Sequence, residues 1–166
     1  MNIYHQMIDV SFRVACVAVI SYIAATYLGV FIANAPDQIG GLWSAISAIM
    51  ALKQETKESY RAGWHRIIGT LIGSVVTAFV LYFIGGSVGA LFVAIFGSAM
   101  VCFLCEVKEV YGIACIAAAV VLIVWDITGC VDNPFLFSAL RFVDSLIGVV
   151  VAIIASYIPQ IKISKE

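Results

Sequence analysis

Charge is scarce in this chain. Nine Lys and Arg and ten Asp and Glu make up only 11% of its 166 residues, under half the share of an ordinary soluble domain. So few ions cannot cover a water-facing surface, and with a formal net charge of -1 they form no basic face for nucleic acid. Prolines number three, which leaves long helices uninterrupted. There is no glycine-rich phosphate loop, no metal-ligand cluster, and no Ser, His and acid set at the spacing of a triad. An enzyme and a bound cofactor are therefore not expected, and energy from ATP would have to come from another polypeptide.

Apolar residues fill the chain instead, at 63% of the sequence with a mean hydropathy of +1.09. A spanning helix needs about 20 apolar residues. Runs at 10–33, 63–83, 110–125 and 136–158 are clear, 88–105 is adequate, and 39–52 is short. The reading is an all-α integral membrane protein with six transmembrane helices. The polar helix formers at 53–58 are expected to prolong the second helix into water. The first run is too long for a signal peptide, and Pro36 follows the Ala-x-Ala site at 33–35, so it is expected to be retained.

Lys and Arg fall on alternate loops. Lys53, Lys57, Arg61, Arg66, Lys108, Lys162 and Lys165, with Arg13 at the start of the first span, lie on one side. The opposite loops, around Asp37, Gly85-Gly86 and 126–133, hold none. The positive-inside rule then puts both termini in the cytoplasm, and a bacterial plasma (inner) membrane is the expected location. Of five cysteines, Cys16, Cys102, Cys105 and Cys115 read as small packing residues and Cys130 falls in a loop. Cys102 and Cys105 have the spacing that places two thiols on one helix face, which leaves a redox role open.

The third and sixth helices repeat a pattern. Arg66/Arg141, Leu71/Leu146, Ile72/Ile147, Gly73/Gly148, Val75/Val150, Val76/Val151 and Tyr82/Tyr157 are identical pairs, each 75 residues apart. The same offset carries 10–33 onto 85–108 and 39–52 onto 114–127, so the span map repeats as well. Two three-helix repeats are expected, 1–84 and 85–166, and the odd number of helices inverts one relative to the other, as in many transporters. Gly69, Gly73 and Thr77, and the matching Asp144, Gly148 and Ala152, form small-residue stripes that permit close helix packing.

Ionisable residues inside spans are the candidates for function. Arg141 and Asp144 lie three apart on one helix face, about 7 and 12 Å into the sixth span. Buried ions are costly in a bilayer, so the pair reads either as a structural ion pair or as an anion contact, Arg141, with a counter-charge or proton carrier, Asp144. Arg66 belongs to a cationic cytoplasmic mouth with Lys57, Arg61 and a solvated His65. On the second helix Trp43, Ser44 and Ser47 fall on a polar stripe suited to a solute path, with Leu42, Ile46, Ile49 and Met50 as apolar cover. Trp43 and Trp64 are equally placed to be interface anchors. Glu106, Lys108 and Glu109 read as a solvated turn, and Asp126 as a group at the outer end of the fifth span.

Trp43, the polar segment 53–62, and the motif Arg66-x-x-Gly69-Thr70-x-x-Gly73 give residues 43–73 a resemblance to the fusaric acid resistance and aromatic acid exporter superfamily. Tyr111 and Arg141 extend the likeness through the second repeat, so that it covers roughly 10–158. The resemblance implies export of organic, especially aromatic, acid anions driven by proton motive force. It also implies a competing class, a passive anion channel at an oligomer axis, through the plant malate-channel branch. Many relatives carry a soluble domain or a second six-helix block. A minimal six-helix member is expected to assemble as a homo-oligomer in membrane lipid, or to serve as a non-transporting membrane assembly partner.

Overall fold

The computed structural model describes residues 2–33, 38–128 and 133–158. Six α-helices follow one another: α1 Asn2–Ala33, α2 Gln38–Ala51, α3 Thr56–Ile84, α4 Val88–Leu104, α5 Tyr111–Ile127 and α6 Pro134–Ser156. A 3-10 turn, Lys108–Val110, leads into α5, and no strand occurs among the described residues. Four helical segments have the length and composition to cross a membrane, Met7–Gly29 of α1, α3, Lys108–Ile127 and α6, while α2 and α4 are shorter apolar helices. This is an all-helical membrane protein, and the number of helices matches the six expected. Cys130 and the lysines at 162 and 165 lie outside the described residues.

One boundary differs from the expectation. Residues 53–58 do not extend α2, which ends at Ala51. The chain turns there because the Ser59 hydroxyl accepts from the Lys53 N–H at 2.8 Å and donates back to the Lys53 carbonyl at 3.2 Å. The polar residues from Thr56 onward then form the first turns of α3. Helix α1 also starts well before the apolar run, at Asn2.

The helices gather into two compact units. The first is Met1–Gly63 with Leu146–Glu166, the second Trp64–Ser145, so α3 and α6 each contribute one end to either unit. In the first unit α1 packs on α2, and the Ser21 and Ser44 hydroxyls share a hydrogen bond of 2.6 Å inside that contact. The end of α6 is closed here: Thr56 donates its hydroxyl to the Ser156 carbonyl at 2.8 Å, and Arg13 donates Nη2 to the Ala155 carbonyl. Both satisfy carbonyls that a helix C-terminus leaves unpaired.

In the second unit α4 packs on α5. Leu81, Ala90, Ala94, Ala118, Val121, Leu122, Trp125 and Phe137 form its core, the last two rings meeting edge to face at 5.4 Å. Local chemistry sets the ends. Gly85 at φ +78 supplies the left-handed residue after α3. Ser87 accepts from the Ala90 N–H to start α4, and Asn133 Oδ1 accepts from the Phe135 and Leu136 N–H groups ahead of α6, with Pro134 at the first helical position.

Among the very close helix seams, one in each unit is built like the other. A β-carbon added at Gly73 would stand 2.4 Å from the Ala114 carbonyl oxygen, 2.8 Å from Ala117 Cβ and 3.0 Å from the Ala118 nitrogen. At Gly148 the corresponding atoms are the Ser44 carbonyl oxygen at 2.2 Å, Ser47 Cβ at 2.9 Å and the Ala48 nitrogen at 2.9 Å. The glycines are 75 residues apart and their partner triplets 70 apart, which places five extra residues between α5 and α6. The 75-residue offset therefore holds for α3 and α6 but not for α2 and α5. In lipid such backbone contact is a main source of helix association. The opposite faces are apolar and bare, as with Leu42, Phe79, Phe92, Phe96 and Ile154, which suits a hydrocarbon solvent.

Candidate functional site

Three ions lie buried in the second unit. Arg66 is 1% exposed, Arg141 3% and Asp144 7%. Arg66 stands nearly three turns inside α3, where Gly69 and Gly73 hold the adjacent strip of the helix hard against α5. The β-carbon position of Gly69 falls 2.7 Å from Ile113 and 3.2 Å from the Val110 carbonyl oxygen. No side chain fits at 69, whereas its sequence counterpart at 144 carries a carboxylate. Arg141 Nη1 lies 3.4 Å from Asp144 Oδ2, and its guanidinium sits 5.4 Å from the centre of the Phe137 ring, within cation–π range.

Hydroxyls run along the same helices. Thr70, Ser74 and Thr77 on α3, Ser98 on α4, and Ser138 and Ser145 on α6 are all buried. Thr77 donates to the Ala118 carbonyl at 3.3 Å. Thr70, Ser74, Ser98 and Ser138 have hydroxyls with no hydrogen-bond partner among the described residues. Such groups are costly in a low-dielectric interior and mark where a water or a polar solute is accepted. Ser74 and Ser138 line a groove of about 170 Å³ between α3 and α6 whose walls include Phe79, Phe135 and Phe142; Phe79 and Phe135 meet edge to face at 5.4 Å. From the sequence Thr70 and Thr77 are read only as part of a motif and a packing stripe, and the serines are missed, although Arg66, Thr70, Ser74 and Thr77, like Ser138, Arg141 and Ser145, are three or four residues apart and so share a helix face.

The six sequence candidates divide between the units. Arg66, Arg141 and Asp144 belong to the second, and Trp43, Ser44 and Ser47 to the first. Trp43 is 4% exposed and the two serines fully buried. The polar stripe of α2 is thus its inward face, with Leu42, Ile46, Ile49 and Met50 outward. Ser44 and Ser47 meet Gly148 at the close seam, and Ser47 donates its hydroxyl to the Trp43 carbonyl at 2.9 Å. Trp64 is exposed. His65, half-buried rather than solvated, has Nε2 3.3 Å from a Glu109 carboxylate oxygen. Glu106 and Asp126 are exposed. Cys102 is buried, whereas Cys105, the cap that follows Leu104 at the end of α4, is exposed.

Apolar outer faces around buried ions and hydroxyls define a polytopic helical membrane protein with a polar interior. The particular family follows from sequence: the model of the fusaric acid resistance protein-like family matches residues 20–155, and the chain belongs to that family. The resemblance carried by Trp43 and the Arg66 to Gly73 motif is thereby borne out, and it places the chain among membrane transport proteins. No curated protein and no solved structure gives a significant match.

Proposed function

We propose that the chain is a subunit of a proton-coupled exporter of small organic anions, aromatic acids above all, in a bacterial plasma membrane with both termini cytoplasmic. The observation that carries this reading is the burial of Arg66, Arg141 and Asp144 within one unit of a charge-poor chain. Ions at membrane depth cost about 2.5–3.5 kcal/mol each on insertion scales, and they recur where an ion or substrate passes. In this mechanism the substrate carboxylate displaces Asp144 from Arg141. Asp144, without its counter-charge and in a poorly solvated site, takes up a proton. The anion leaves outward as the proton enters.

The buried hydroxyls of Thr70, Ser74 and Ser138 supply hydrogen bonds along the route, and the phenylalanines beside Ser74 and Ser138 suit a flat ring. The matching seams at Gly73 and Gly148 support two three-helix repeats, 1–84 and 85–166, inverted in the bilayer. Several copies assemble into the working transporter.

Proteoliposomes loaded with labelled benzoate test the reading. An inward proton gradient is expected to drive efflux, with Arg141→Gln and Arg66→Gln each lowering the rate at least tenfold at an unchanged level of inserted protein. Asp144→Asn should remove the pH dependence. Efflux unaltered in both arginine variants sinks the proposal. Current that follows the anion gradient and ignores pH assigns the passive channel instead, and no flux from the chain alone assigns the assembly partner.

A further inference from the structure

The first unit holds two adjoining hollows that play no part in the proposed transport. Asp9 and Arg13, one turn apart on α1, line both. The smaller, about 180 Å³, is polar at its rim, where Lys53 and Gln54 follow the end of α2. The larger, about 460 Å³, is an apolar groove between α1 and the end of α6, walled by Phe12, Ile20 and Ile154. Phe12 is 69% exposed and Ile154 64%, so the groove opens on the surroundings of the protein.

Arg13 joins the two hollows. Its Nη2 donates to the Ala155 carbonyl, while Nε and Nη1 are buried and have no hydrogen-bond partner among the described residues. A guanidinium with two nitrogens left without an acceptor is a receptor for a tetrahedral oxyanion. Asp9 lies about 6 Å from Arg13 along the helix axis, and its carboxylate would repel a ligand that is purely anionic. The site therefore asks for an anion and a cation about one helical turn apart, with a hydrocarbon tail leaving beside them.

We propose that these hollows bind one amine-bearing glycerophospholipid, a phosphatidylethanolamine, with phosphate on Arg13 and Lys53, ammonium on Asp9, and an acyl chain along Phe12, Ile20 and Ile154. A helix of a second copy would fill the groove but bring no paired charges to its polar end. A phosphatidylglycerol lacks the cation, and a choline headgroup has no N–H to give to Asp9. The site is independent of the buried ions in the second unit.

Delipidated full-length protein in detergent is titrated with dioleoyl phosphatidylethanolamine, phosphatidylcholine and phosphatidylglycerol, and bound species are counted by native mass spectrometry. One phosphatidylethanolamine per chain is expected, at least fivefold tighter than either other lipid. Arg13→Gln should weaken it at least tenfold, and Asp9→Asn should erase the preference among headgroups while retaining binding. Because Arg13 also closes the end of α6, Ile154→Trp provides a second test: it fills the groove without touching the charges and should lose the lipid with helicity intact. A preference for phosphatidylglycerol, undiminished binding in folded Arg13→Gln or Ile154→Trp, or a lipid-free dimer that Ile154→Trp dissociates would each overturn the proposal.

Discussion

Asp144 shows how one residue alters a repeated frame. Its counterpart, Gly69, is fixed as glycine because Ile113 occupies the space of any side chain. At 144 the same register carries a carboxylate 3.4 Å from Arg141, with the two side chains 10% and 4% exposed. Removing one member of a buried pair leaves the other charge poorly compensated, at a cost of about 3–5 kcal/mol, whereas removing both is far milder. Asp144→Asn is thus expected to lower unfolding stability in detergent by about 3 kcal/mol. The Arg141→Gln, Asp144→Asn double variant should lose clearly less than the sum of the two single changes. Additive losses would show that the pair is not coupled. The result separates the structural value of the pair from its part in transport, since the double variant is expected to keep the stability an assay needs and yet to export nothing.

For the helices, packing is decided by a few small residues. Valine at Gly73 or Gly148 must push back a neighbouring backbone, and overpacking of this kind costs about 1–3 kcal/mol. Each substitution should lower the melting temperature in detergent by several degrees, whereas Gly112→Val, which enters open space, serves as the control for helix propensity alone. Equal losses at all three positions would contradict the close seams. The sequence displayed these glycines, the apolar runs and the 75-residue match, because all three are local signals. It concealed the end of α2 and the start of α3. Thr56 to Ala62 is polar enough to read as a loop, yet Ser59, Gly63 and Arg66 face inward at helical spacing, and a single Ser59 hydroxyl sets the turn. The partner triplets on α2 and α5 were likewise concealed, since the triplet Ser44, Ser47, Ala48 and the triplet Ala114, Ala117, Ala118 share small size rather than identity. Nor did the site show fully: Arg66, Arg141 and Asp144 stood out by charge, but hydroxyls are common in membrane helices, and only burial without a partner distinguishes Ser74 and Ser138.

For the whole chain, topology rests on its two short helices. Helix α2 has 14 residues and α4 has 17, about 21 and 26 Å long, against a hydrocarbon core of about 30 Å. If either turned back within the membrane, an odd number of spans would remain and the termini would lie on opposite sides. The charges oppose that arrangement. Lys53 and Lys57 follow α2, Lys108 follows α4, and Arg13 lies in the N-terminal half of α1, so six crossings place every one of these cations toward the same side. Mismatch of a few ångströms is met by local thinning of the bilayer or by snorkelling of a flanking lysine such as Lys53, at a fraction of a kcal/mol per ångström, less than the cost of carrying several lysines across. Single cysteines introduced into an otherwise cysteine-free chain decide the matter. Ser87→Cys and Asn133→Cys should react with a membrane-impermeant maleimide added to intact cells, whereas Lys57→Cys and Glu106→Cys should react only after lysis. Labelling of Glu106→Cys from outside would mean that an odd number of the first four helices crosses the membrane, and the inverted-repeat reading would fall with it.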